Sequence, residues 1–222
     1  MNLRMFFLLI LVVLTSSGLY SQQAVRLSAL RELQPPVNSG SGMPFLQATP
    51  DNKVLLSWIE PGKARKHTLR FAEYSAAGWS EARTVVEGDS FFANWADVPS
   101  VVRLRDGKLV GHWLNKSGPT TYAYDVNIKI SSDGGKTWSA TMKPHNDGTP
   151  TEHGFVTIFD SPKIGAGLVW LDGRAMATQG ASSHDDHSAG GDMSLRATFV
   201  NASSTFMGDI LLDGRTCECC PT

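Results

Sequence analysis

The sequence predicts an all-β fold, and three observations carry that prediction: an internal repeat, segments that alternate in polarity, and clusters of turn-forming residues between them. Val54-Leu-Leu-Ser-Trp58-Ile-Glu60, Leu109-Val-Gly-His-Trp113-Leu-Asn115 and Gly167-Leu-Val-Trp170-Leu-Asp172 are three similar apolar runs, their tryptophans 55 and 57 residues apart. Leu69–Tyr74, Val126–Ile130 and Met193–Phe199 alternate or nearly alternate, as half-buried strands do. Pro50-Asp-Asn52, Arg105-Asp-Gly107 and Ser132-Asp-Gly-Gly135 supply turn chemistry between them. No long helical period competes.

Composition sets the outer limits. With 41% hydrophobic and 18% charged residues in 222, disordered, collagenous and coiled-coil chains are excluded and one compact unit is expected. Lys+Arg at 20 against Asp+Glu at 21 leaves a charge of -1, no footprint for a nucleic-acid backbone. Cys217, Cys219 and Cys220 sit together at the end and cannot staple the whole fold, so the core must be apolar.

Taken in order, residues 1–21 read as a secretory signal peptide: Arg4, the apolar run Met5–Leu14, then the small residues Thr15–Gly18. The run is shorter than the roughly 20 residues a membrane span needs. The expected location is secreted, periplasmic or on the cell exterior, with no membrane span once the signal is removed. In residues 22–222 the period matches four-stranded antiparallel blades of a β-propeller. Blade 1 covers about 42–86, blade 2 about 98–143 and blade 3 about 155–212, and about 213–222 opens the next. In blade 2 the strands are Pro99–Leu104, Lys108–Leu114, Asp125–Ser131 and Trp138–Lys143. Propellers close with about four to eight blades, so about three blades predict the front portion of a six-bladed protein.

Ser131-Ser132-Asp133-Gly134-Gly135-Lys136-Thr137-Trp138 has the form S-x-D-x-G-x-T-W. Here the chain resembles the sialidase (neuraminidase) superfamily with its Asp-box (BNR) repeats. The resemblance implies a structural turn built on Ser131, Asp133, Gly135 and Trp138, away from any active site. Its sharp part covers only the second repeat. Asp97-Val98-Pro99 then falls where that family has Arg-Ile-Pro, Lys116 where a second Arg is expected, and Asp125 where an acidic residue enters the third strand. A carboxylate at 97 repels the carboxylate of sialic acid, and Lys116 keeps a charge but loses the two-pronged donor. The implied substrate is a glycan, and these two departures put sialic acid specificity in doubt.

In such blades every other connection lies on one face, where loops on a rigid scaffold carry function. Trp95, Asp97, Lys116, Asp125, His145, Asp147, Glu152, His153, Asp172, Arg174, Asp213 and Arg215 fall on that mouth. Asp125 is the expected acid/base, with Glu152 and His153 as a second acid/base pair. Trp95, Asp97, Lys116, Arg174 and Arg215 are the expected substrate contacts, although Asp97 also fits a loop cap or a pairing with Lys116. His184-Asp185-Asp186-His187 reads as a solvated loop rather than a metal site. No cofactor is predicted. The three cysteines read first as disulfide partners, and as a soft-metal site for copper in the alternative. Two functions follow: an exported sialidase-like glycoside hydrolase, or a non-catalytic propeller that binds carbohydrate or protein.

Overall fold

A computed structural model describes residues 30–179, 192–201 and 203–216. The signal-like segment 1–21, the His184–His187 stretch and the three cysteines lie outside the described residues. The chain divides into Met1–Gln34, of which only 30–34 are described, and Pro35–Thr222.

The described part is all-β apart from one 3-10 turn, Arg174–Gln179, and its strands form three antiparallel sheets. The first contains β1 (Gly42–Ala48), β2 (Val54–Pro61) and β3 (His67–Ser75), with β4 (Gly78–Trp79) and β5 (Arg83–Gly88) both paired to β3. At the break between β4 and β5, Ser80 N donates to Glu73 O at 2.8 Å while Ser80 Oγ accepts from Glu73 N at 3.0 Å. The second contains β6 (Ser100–Arg103), β7 (Leu109–Lys116) and β8 (Tyr124–Ser131). The third runs β9 (His153–Ser161), β10 (Gly165–Asp172), β11 (Met193–Val200) and β12 (Ile210–Thr216).

Two expectations need correcting. Trp138–Lys143 forms no fourth strand; one bridge, Ile128 to Met142, remains, because Ile130 N donates to Ser139 Oγ at 3.1 Å instead of a ladder carbonyl. Asp213–Thr216 opens no further sheet either: Asp213 pairs with Leu195 and Thr216 with Met193, so β12 completes the third.

Period-2 alternation explains how the sheets stack. Along β7, Leu109 and Trp113 pack towards Leu55, Leu69 and Phe71 of the first sheet, while Val110 and Leu114 join Leu168 and Trp170 of the third. Trp58, Trp113 and Trp170 occupy equivalent places in β2, β7 and β10 and are all buried. Removing such an indole side chain costs about 3–5 kcal/mol. Two residues beyond each tryptophan stands an acceptor at the same end of its strand. Trp113 Nε1 donates to Asn115 Oδ1 at 3.1 Å and Trp170 Nε1 to Asp172 Oδ2 at 2.8 Å, whereas Glu60 turns to Arg70 at 3.2 Å.

At the opposite end, the turn after β8 is self-contained. Ser131 Oγ accepts from Gly135 N at 2.8 Å, and Asp133 accepts from Lys136 N, Thr137 N and Thr137 Oγ1 at 2.6–3.0 Å. Gly134 and Gly135 have φ of 72° and 84°, the left-handed region that glycine enters without strain. Trp138 then packs edge-on to Phe71, ring centroids 6.1 Å apart.

Candidate functional site

Strand direction gathers one end of every sheet. β7 ends at Lys116, β8 begins at Tyr124, β9 begins at His153 and β10 ends at Asp172, so residues 117–123 and 173–179 and the C-terminal part of 132–152 lie at this end. His153 is the centre and has no solvent exposure. Its Nδ1 lies 3.1 Å from Thr151 O and 3.3 Å from Tyr124 O, and its Nε2 is within hydrogen-bond reach of Asp147, so acceptors face both ring nitrogens. Nε2 faces Asp147 Oδ2 at 3.2 Å and Asp172 Oδ1 at 3.8 Å; Asp125 Oδ1 is 3.8 Å from Nδ1.

His145 stacks on His153 with centroids 3.9 Å apart and planes within 1°. Its Nδ1 is 3.2 Å from the same Asp147 oxygen, and its Nε2 accepts Val126 N–H at 3.3 Å. Burial, reinforced by the neighbouring His153, pushes the His145 imidazole down to about 4, so it is neutral at pH 7 with its hydrogen on Nδ1.

Two carboxylates beside the stack, Asp147 and Asp172, are held ionised by their partners. Arg174 grips Asp172 with two parallel bonds, Nε to Oδ1 at 2.7 Å and Nη2 to Oδ2 at 2.6 Å. Its Nη1 reaches Asp209 at 2.7 Å and its Nη2 approaches Asp147 at 3.5 Å. Desolvation would raise Asp172, but Arg174 and the Trp170 indole win and hold it below the usual carboxylate range. Desolvation of Asp147 is likewise overcome, by Thr149, His153 and Arg174. Asp125 pairs with Lys143.

A second set lies beside the first. Asp97 is buried; its Oδ2 accepts Phe155 N–H at 2.8 Å, and its Oδ1 has no hydrogen-bond partner. Burial, with the Glu152 charge adding to it, pushes this carboxyl up to about 7. Glu152 accepts from Tyr124 OH at 2.6 Å, and burial followed by the Glu152 charge raises the phenol above its ordinary value.

An open cleft of about 440 Å³ runs alongside, lined by Asp125, Lys143, Lys116, Asn115, Asn127 and His145 among others. A cavity of about 340 Å³ at the turn end, between Arg105 and Lys163, holds an Arg105–Asp160 pair at 3.2 Å but no such cluster. The mouth cleft is therefore the candidate site.

Among the sequence-predicted residues, Asp97, Asp125, Glu152, His153 and Arg174 enter one connected set of contacts. Lys116 lines the cleft, its ammonium 4.5 Å above the Phe92 ring and bonded to the Thr121 carbonyl; it does not pair with Asp97. Trp95 is 85% exposed, and Arg215 is exposed and faces Asp192 at 3.5 Å; neither lines the cleft. Lys143, Tyr124 and Asp209 are site residues that sequence reasoning missed.

Two groups have metal-ligand composition: Asp125, His145 and His153, and Asp147, His153 and Asp172. The first group does not fit a metal, because the in-plane lone pairs of two parallel rings 3.9 Å apart cannot converge on one ion, and in the second Arg174 already sits against both Asp147 and Asp172. Arg174 and Lys143 already supply the positive charge.

No family model matches the chain, and no curated protein is similar to it in sequence. It is similar to a solved protein of unknown function from Dyadobacter fermentans at 16% identity and TM-score 0.49, over 76% of this chain and 41% of that one. A mutant of the NanB sialidase from Streptococcus pneumoniae matches at 16% identity and TM-score 0.45, over 76% of this chain and 23% of that one. An alpha-L-arabinofuranosidase from Clostridium thermocellum matches at 13% identity and TM-score 0.45, over 81% of this chain and 57% of that one. The chain thus spans less than two thirds of each of these proteins.

Proposed function

We propose that the chain belongs to an exported, sialidase-like glycoside hydrolase built on a β-propeller, and that a glycan lies in the cleft over Asp125. The observation that carries this reading is the cleft itself: one carboxylate paired with Lys143, surrounded by the amides of Asn115, Asn127 and Asn146 and the hydroxyls of Ser90, Ser117 and Thr149. Amides and hydroxyls match the alternating donors and acceptors of a sugar, and Asp125 is the acid/base. Lys143 pairs with Asp125 at rest, and a bound sugar that takes over the ammonium leaves the carboxyl group open to the glycosidic oxygen. Glu152 and His153 stand behind this surface and fix the strand entries that present Asp125.

The propeller reading is supported by three sheets stacked face to face, by equivalent buried tryptophans and by the turn at Ser131–Trp138, which has the hydrogen bonding expected of an Asp box. Export rests on the signal-like segment 1–21. Among the described residues no helix is long and apolar enough to cross a membrane.

The test is hydrolysis of a panel of glycosides by the full-length protein, with Asp125→Ala as control. Loss of turnover by roughly 10²–10⁴-fold is expected, the usual contribution of a positioned acid/base. Turnover that survives the substitution removes Asp125 from the chemistry; binding with no turnover on any glycoside overturns the hydrolase reading.

A further inference from the structure

Three features meet where β9 begins. Phe155 has φ of 52°, in the left-handed region that a bulky residue enters only under strain. The register between β9 and β10 shifts between Leu171↔Gly154 and Val169↔Thr157, so the strained residue sits in a bulge. The Phe155 N–H is spent on Asp97 Oδ2, a group from the loop before β6 in another sheet.

The fit around that contact is close. A Cβ at Gly154 would lie 2.0 Å from Asp97 Oδ2 and 2.9 Å from the Tyr124 ring, so only glycine is accommodated there. Asp97 is held in turn, since its own N–H and that of Ala96 both donate to Asn94 Oδ1 at 2.8 Å. The other carboxyl oxygen, Oδ1, is buried with no partner. The titratable groups facing Asp97 are Glu152, ahead of β9, and Tyr124, on β8; among the described residues no cation pairs with it. A carboxylate buried there would carry one hydrogen bond, no counter-ion and a like charge beside it.

We propose that Asp97 is a positioning residue that works as a neutral carboxylic acid: protonated, it clamps the Gly154–Phe155 bulge and so holds His153 among Asp125, Asp147 and Asp172; ionised, it repels Glu152 and lets the bulge go. The inference goes beyond the glycosidase reading and is independent of what occupies the cleft. Burial, opposed by the Phe155 N–H and reinforced by Glu152, puts the Asp97 transition at about 7, so the clamp loosens in the neutral range. The folded state binds the extra proton, so this group's stabilisation is complete below about pH 4 and is lost as pH rises through about 7. His145 and His112, both pushed down by burial, work in the opposite sense and lose stability as pH falls below their ordinary value. The effect must therefore be read as a difference in which these histidines cancel.

The experiment compares the full-length wild-type protein with Asp97→Asn and Asp97→Ala by carboxyl and backbone-amide NMR and by thermal melting between pH 4 and 9. Wild type is expected to show one Asp carboxyl titrating near 7, and a Phe155 amide signal that shifts with the same midpoint. Asp97→Asn keeps an acceptor for Phe155 N–H and carries no charge, so its Phe155 amide should show no shift with that midpoint. Its melting temperature should gain several degrees on wild type as pH rises to neutral. In Asp97→Ala the Phe155 amide loses its acceptor and should be displaced from the low-pH wild-type position at every pH. An Asp97 carboxyl that titrates near the ordinary value of about 4 overturns the proposal on wild type alone, even if neither variant folds. A Phe155 amide that shifts in Asp97→Asn with the wild-type midpoint overturns it equally.

Discussion

The two ends of the sheets are both rich in aspartate, and they use it in different ways. At the turn end, Asp133 is exposed and takes its hydrogen bonds from Ser131, Lys136 and Thr137, all within four residues. The Thr137 hydroxyl, then its N–H, then Ser131 hold that carboxyl below the usual range. At the mouth, Asp172 is fully buried and is shared among Trp170, Arg174 and the approach of His153, while Asp97 bonds to a residue 58 positions away. A carboxylate satisfied by its own turn makes that turn; one satisfied across sheets ties the tertiary fold to a site. Burial, more than partner distance along the chain, separates the acids of the two ends, since Asp172 also takes its hydrogen bonds from residues two positions away while Asp97 reaches across sheets.

The largest expected effect tests that contrast directly. Asp172→Ala leaves the Arg174 fork and the Trp170 N–H without their acceptor and should cost roughly 3–5 kcal/mol in chemical denaturation. A loss under about 1 kcal/mol would mean that the mouth network holds nothing together. Acid should act in the same sense: Asp147 and Asp172 are both lowered, so their stabilisation is present above about pH 4 and is lost as pH falls below it. An intermediate effect is expected at the other end. Gly135→Ala places a Cβ 2.4 Å from Phe71 Cζ at φ of 84°, and should cost about 1–3 kcal/mol. Its His153 imidazole signals should stay where they are in wild type, because the damage is local to the turn; displaced signals would show that the two ends are coupled.

What could be read from sequence follows the same division. The tryptophan period and the Ser131–Trp138 turn were legible because their determinants lie within a few residues: alternation puts Trp113 in the core, and Asp133 finds its donors inside its own hairpin. The gathering of Asp97, Asp125, Glu152, His153 and Arg174 at one end followed from strand direction alone. Individual contacts did not. Lys143 reaches Asp125 from a segment read as a strand, and that strand is lost to a serine side-chain bond invisible in the alternation pattern. Asp209 serves both Arg174 and Arg196, a pairing that depends on how β12 lies against β11. Arg215 does stand at the mouth end, next to the Thr216–Met193 pair, but on an exposed outer strand facing Asp192 rather than in the cleft. His153, expected as an acid/base, is sealed by loops whose course no local pattern encodes.

The smallest expected change in stability asks whether the mouth carries recognition as well as cohesion. Trp95 lies on the 89–99 loop, 85% exposed, between Phe92, which stacks on Tyr124 at 4.0 Å, and the buried Asp97. Ser90, on the same loop, lines the cleft. An exposed indole held on so well anchored a loop gains little from folding, so Trp95→Ala should alter stability by no more than about 0.5 kcal/mol. Trp95 lies outside the cleft, so only a glycan that runs on past Ser90 would reach the indole; for such a ligand the Trp95→Ala affinity should fall several-fold, read by calorimetry with the sugar that the hydrolysis panel selects. A drop in affinity without a drop in stability would separate this loop from the buried network behind it. Unchanged affinity would confine recognition to the polar groups around Asp125, and the contrast between the two ends would then rest on buried charge alone.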